Sequence, residues 1–165
     1  MNLTFSTAAL SDAPALAAFH NAVSADLTLR FGRGYWTSVS TEKGVLFRMR
    51  HTVIVIARNR RTIVGTLSLQ TKKPWAIDVS YFTPVKKSLY LTNMAVLPAM
   101  QRQGLGRRLL AEAVKRTRAF PANAIRLDAF DAEAGAGSFY AKCDFREVAR
   151  VTYRNNPLIY FELLV

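Results

Sequence analysis

Cysteine is almost missing from this sequence: Cys143 is the single one in 165 residues. That excludes an internal disulfide and offers no metal-ligand spacing. No motif joins His20 or His51 to it as the partner of a catalytic thiol, so it reads as a small buried or half-buried filler. Long apolar runs are missing too. Nothing approaches the roughly 20 apolar residues of a membrane span, and Met1-Asn2-Leu3-Thr4-Phe5 lacks the basic-then-apolar form of a secretory signal. A soluble, cytoplasmic protein is expected. Acidic residues are scarce: 11 Asp plus Glu stand against 23 Lys plus Arg, a net charge of +12. Such an excess favours anionic ligands. The cations are spread along the chain from Arg30 to Arg154, with no zinc-finger spacing, aromatic RNA-binding stretch or basic tail. Nucleic acid is therefore not an expected partner. With half its residues apolar, a chain of this length reads as a single domain over 1–165.

What is present concentrates between Leu91 and Leu110. A strand ending in Val96-Leu97-Pro98 runs into Gln101-Arg102-Gln103-Gly104-Leu105-Gly106-Arg107-Arg108. Helical apolar spacing then begins, with Leu105, Leu109, Leu110, Ala113 and Val114. Arg102, Arg107 and Arg108 thus sit at the positive end of a helix dipole. Cations there cost a few tenths of a kcal/mol each, so the arrangement makes sense if an anion is held between them and the unpaired backbone N–H groups. Two glycines two apart let a backbone approach such a ligand closely. A nucleotide P-loop would need Gly followed five residues later by Gly-Lys-Ser/Thr. A dinucleotide fold would need a third glycine where Leu109 stands, although Asp128, about 20 residues on, imitates that motif.

The remaining pattern, Gln/Arg-x-x-Gly-x-Gly/Ala on Gln101, Gly104 and Gly106, resembles the acetyl-CoA signature of the GCN5-related N-acetyltransferase (GNAT) superfamily. The resemblance implies that loop N–H groups from Gln101, Arg102, Gln103, Gly104, Leu105, Gly106 and Arg107 bind the pyrophosphate of acetyl-CoA as co-substrate. It also implies that backbone groups at Met94, Ala95 and Val96, beside a distortion in their strand, bind the thioester and pantetheine arm. No metal is implied. Further on, Phe139-Tyr140-Ala141-Lys142-Cys143-Asp144-Phe145 resembles the family's Tyr-x-x-x-Gly-Phe ending, with Asp144 where glycine is usual. The family role carried by Tyr140 is catalytic, protonating the departing thiolate, which suits a phenol at neutral pH. The family's strand glutamate has no counterpart, since Tyr90, Thr92 and Asn93 stand there. Asp128, Asp78, Glu42 and His51 are all conceivable bases, and the sequence selects none of them.

Periodicity orders the elements as a strand Asn2–Ser6, a helix from Ser11–Pro14 to about Ala25, and a second helix ending near Arg50. A hairpin follows, Thr52–Ala57 with Ile63–Lys72, then an aromatic loop Lys73–Lys87. Next come a strand Ser88–Val96, a helix Gly104 to about Arg118, a strand Ile125–Phe130, a helix Gly137–Lys142, and closing strands Arg146–Tyr153 and Leu158–Leu164. The expected fold is α/β: a mixed, largely antiparallel sheet with a central parallel strand-helix-strand crossover and helices on both faces. The expected activity is acetyl transfer to a primary amine, small-molecule or peptide, by direct attack in a ternary complex. The alternatives are a non-catalytic acyl-CoA sensor on the same fold and a basic nucleic-acid-binding domain, the latter betrayed by steep salt dependence. The closing strands offer an edge for a homodimer.

Overall fold

A computed structural model describes residues 3–165. The expected first strand began at Asn2, which lies outside the described residues; β1 is Leu3–Thr7. The order continues with α1 (Ala13–Phe31), α2 (Glu42–Met49), β2 (Val53–Asn59), β3 (Thr62–Gln70), β4 (Ser88–Val96), α3 (Leu105–Ala119), β5 (Ala124–Phe130), α4 (Gly137–Ala141), β6 (Arg146–Tyr153) and β7 (Asn156–Leu164). The seven strands form one sheet in the order β1-β2-β3-β4-β5-β7-β6. Pairs β1–β2, β2–β3, β5–β7 and β6–β7 are antiparallel, while β4–β5 is parallel. Among the described residues, no helix is long and apolar enough to cross a membrane. The chain divides into two compact units, Met1–Leu69 with Asn93–Leu109, and Gln70–Thr92 with Leu110–Val165.

In the first unit, Leu16, Phe19, Val45, Ile54, Ile56 and Ile63 form the core, with Ala95 and Leu97 packed against it. The Asp12 carboxylate accepts from the Ala9 N–H at 2.9 Å and pairs with Arg58, fixing the start of α1 to β2. Helix α1 runs past the expected end at Ala25, because nothing breaks it before Gly32, which takes φ 77°. An Asp26–Arg30 pair at 2.8 Å supports the added turns. Glycine is required at Gly65, since a Cβ there would lie 2.9 Å from Leu109 Cδ1 and 3.4 Å from the Ala95 carbonyl oxygen. That close approach seats the start of α3 on β3, with Leu105 and Leu109 fully buried. Each such side chain contributes roughly 1.5–3 kcal/mol.

In the second unit, the stretch expected as a plain aromatic loop contributes core. Ile77 and Phe82 are buried with Tyr90, Leu158 and Tyr160, whereas Trp75 stays 82% exposed. The Tyr160 hydroxyl donates to the Ala76 carbonyl and accepts from the Asp78 N–H at 3.2 Å, pinning the segment to β7. Below it lies a buried charge cluster. Glu162 Oε2 accepts from Arg126 Nε at 3.1 Å, and Oε1 accepts from Arg146 Nη2 at 3.1 Å and the Thr83 N–H at 3.2 Å. The Arg126 guanidinium also lies 5.0 Å over the Phe82 ring.

Candidate active site

In the first unit the end of β4 and the loop after it are built as one piece. Asn93 takes φ 49°, a left-handed residue inside a strand, which breaks the alternation just before Met94-Ala95-Val96. The Leu97 N–H bonds the Val64 carbonyl at 3.0 Å, and a 3₁₀ turn over Pro98–Met100 reverses the chain. Gln101 Nε2 then donates back to the Val96 carbonyl at 3.2 Å, and Gln103 Nε2 to the Ala99 carbonyl at 2.8 Å. Both glutamine side chains are thus spent on shaping the loop. The first of these bonds brings together the two groups of binding residues read from the sequence, Met94 to Val96 and Gln101 to Arg107.

The loop carries left-handed backbone at Arg102 (φ 59°) and Gly104 (φ 80°). Alternating handedness of this kind turns successive N–H groups to one side and makes an anion-binding concavity. At Gly104 an added Cβ would meet nothing within 4 Å, so dihedral freedom rather than space requires glycine there. Helix α3 starts at Leu105 and has no acidic residue in its first turn. The Arg108 N–H bonds the Gly104 carbonyl at 3.2 Å, an i to i−4 step at the start of the helix. Arg102 and Arg107 are exposed, whereas the Arg108 guanidinium lies 5.4 Å over the Phe5 ring. Among the described residues no ion pair involves Arg102. A left-handed loop backbone, a helix dipole and exposed arginines together suit a pyrophosphate.

Tyr140 belongs to the second unit. It is 6% exposed on α4, its ring 5.3, 5.6 and 5.8 Å from those of Phe139, Phe145 and Phe161. The Cys143 and Phe145 N–H groups both reach the Tyr140 carbonyl, at 2.9 and 3.3 Å. Between them Asp144 takes φ 65°, the left-handed conformation for which the family uses glycine. The cap therefore survives the substitution.

The four candidate bases differ in their surroundings: Asp78 and Asp128 lie in the second unit, Glu42 and His51 in the first. Asp78 is exposed, and its Oδ1 accepts from the Ser80 N–H (2.9 Å) and Oγ (2.8 Å); these bonds hold its carboxyl below the ordinary range. Glu42 lies in the first turn of α2, and the His51 ring rests edge-on against Phe47 at 5.8 Å. Asp128 differs, because burial pushes its carboxyl above the ordinary range. The parallel register of β4 with β5 runs from Ser88↔Ala124 to Tyr90↔Arg126. The next positions on that face of the two strands are Thr92 and Asp128. Thr92 Oγ1 is buried with no hydrogen-bond partner among the described residues. Of the four, Asp128 alone combines burial with a raised carboxyl pKa, the property a general base uses. The sequence left it hidden among four candidates because burial cannot be read from residue identity.

Comparison with known proteins bears on the family and the fold. The acetyltransferase (GNAT) domain family matches residues 50–147, well over half of the chain. None of the curated proteins matches it. Among solved structures, the ribosomal-protein-alanine N-acetyltransferase from Brucella melitensis superposes with a TM-score of 0.75 at 18% identity, covering 98% of this chain and 99% of its own. The PaiA N-acetyltransferase from Thermoplasma acidophilum in complex with coenzyme A gives 0.73 at 15%, over 97% and 98%. YncA from Salmonella typhimurium, with acetyl-CoA as its cofactor, gives 0.71 at 16%, over 98% and 93%. At these identities the likeness is one of fold, and the family assignment rests on the domain match. The chain belongs to the GNAT acetyltransferase family.

Proposed function

We propose that this protein moves an acetyl group from acetyl-CoA to a primary amine, small-molecule or peptide, by direct attack in a ternary complex. The observation that carries the reading is the loop Gln101–Arg107, strapped to Val96 and carrying left-handed Arg102 and Gly104, with arginines and no acid. Its amides and arginines would hold the pyrophosphate, and Met94 to Val96 the pantetheine arm and thioester oxygen. Asp128 takes the proton that leaves the amine. Tyr140 gives one to the sulfur as the C–S bond breaks. The similarity to N-acetyltransferases of a ribosomal-protein alanine and of the PaiA kind supports nitrogen as the acceptor atom.

Acetyl-CoA at a hundredfold its dissociation constant is expected to stabilise the fold by about 2.7 kcal/mol, because it binds only the folded loop. Gly104→Asp places a carboxylate beside the anion and should abolish the shift. Gly104→Ala carries the same backbone strain without the charge and should keep part of it. Thermal melts of the three proteins decide this: an unchanged parent melt, or an equal rise in Gly104→Asp, contradicts the site.

Asp128→Asn is expected to lower kcat/KM about tenfold or more with any accepted amine. The parent rate should fall as pH drops through a carboxyl titration above the ordinary range, and the variant should lose that limb. Because burial disfavours the charged form, the variant should melt no lower than the parent at neutral pH. An unaltered pH profile contradicts the assignment.

A further inference from the structure

Arg48, in the last turn of α2, takes no part in the site above. Its Nε and Nη2 are both buried with no hydrogen-bond partner among the described residues. A guanidinium keeps its charge in a protein, and burying it uncompensated is costly. Burial indeed works against its protonation here. The compact unit that contains Arg48 has only three acidic residues, Asp12, Asp26 and Glu42. Asp12 pairs with Arg58 and Asp26 with Arg30. Glu42 is exposed in the first turn of α2, six residues before Arg48, about 9 Å along the axis and about 120° round the helix from it. Helix α1 packs against α2 and brings His20 within range of the Arg48 charge. Burial, then that charge, lower the His20 pKa to about 4, so at neutral pH the ring is an uncharged donor and acceptor and no counter-ion. It rests edge-on against Phe19 at 5.3 Å.

Nε and Nη2 lie on one edge of the guanidinium plane, the pair that grips both oxygens of a carboxylate side-on. We propose that Arg48, with His20 beside it, forms a binding site for the carboxylate of a small molecule. The chain itself supplies no such anion in that unit. Arg48 as a whole is only partly buried, but Nε and Nη2 are themselves shielded from solvent, so a carboxylate reaches this edge by displacing the groups that cover it. The inference stands apart from the acetyl-transfer reading.

The probe is sodium dichloroacetate and sodium trifluoroacetate, carboxylates that stay charged where His20 titrates, against sodium chloride at equal ionic strength, read by the imidazole proton resonances of His20 and His51. Assignment follows from His51→Gln. A carboxylate on Arg48 neutralises the charge that, after burial, lowers the His20 pKa, so saturation should move the His20 titration upward from its value in chloride. His51 should stay put, and Arg48→Met should abolish the effect. Arg48→Met should also melt at or above the parent temperature, since it removes an unpaired buried charge. A His20 titration that ignores both carboxylates, one that moves equally in the variant, or a variant that melts lower each overturns the site. Where an amino acid is an accepted amine, a KM that rises about tenfold in Arg48→Met for the acid and not for its amide places the carboxylate on the acceptor. Equal KM values, with the His20 shift retained, place it on a separate ligand; both results support the site.

Discussion

Tyr140→Phe is expected to lower kcat by about 100-fold at neutral pH while leaving acetyl-CoA affinity nearly unchanged. Phenylalanine keeps the ring, and with it the contacts to Phe139, Phe145 and Phe161 that bury Tyr140 to 6%. Only the donor goes. The stability cost should stay near that of one hydrogen bond, about 1 kcal/mol. Tyr140→Ala removes the ring as well and should cost roughly 3–5 kcal/mol, separating packing from proton donation. A thioester with a more acidic thiol leaves less for an acid to do, so the loss in Tyr140→Phe should shrink with it. Steady-state rates beside denaturant melts test the pair. A Tyr140→Phe protein that turns over at the parental rate but melts lower would make the tyrosine structural.

The largest stability effect is expected at Glu162, whose side chain is 1% exposed while that of Arg126 is 7%. Burial works against the Glu162 charge, but bonds from Thr83, Arg126 and Arg146 outweigh it and hold the carboxyl below the ordinary range. Glu162→Gln keeps the shape and strands the Arg126 charge, which should cost about 3–5 kcal/mol. Arg146 is 65% exposed, so Arg146→Ala should cost no more than about 1 kcal/mol. The sign of the pH dependence follows from the depressed pKa. The contribution of Glu162 is full at neutral pH, begins to fade below the ordinary carboxylate range, and is lost as pH falls through the folded value. Equal losses from the two substitutions in denaturant unfolding would contradict this account of the cluster.

The loop at Gly104 was legible because its signals are local: glycine where φ is positive, cations where a helix begins, a proline just after a strand. Strands β4 and β6 fall where alternation puts them, for the same reason. Helix α1 was read too short because its end is set by Gly32 and supported by the Asp26–Arg30 pair, while the exposed Leu29 adds no amphipathic signal. Ile77 and Phe82 hid inside a polar, proline-flanked stretch, and only the Tyr160 hydroxyl bonding across from β7 makes them core. In the sequence Arg48 is one of 23 Lys plus Arg, and Glu162 is an acid among apolar neighbours. What distinguishes them is which charges are, and are not, beside them in space, and residue spacing does not encode that.

Release of free thiol from acetyl-CoA, followed with a panel of primary amines against an amine-free control, tests the central claim most directly. The account predicts release that rises with the concentration of at least one amine and disappears in Gly104→Asp. If acetyl-CoA raises the melting temperature of the parent protein, yet no amine in the panel speeds thiol release, the chain is an acyl-CoA-binding module and the acetyl-transfer reading is contradicted.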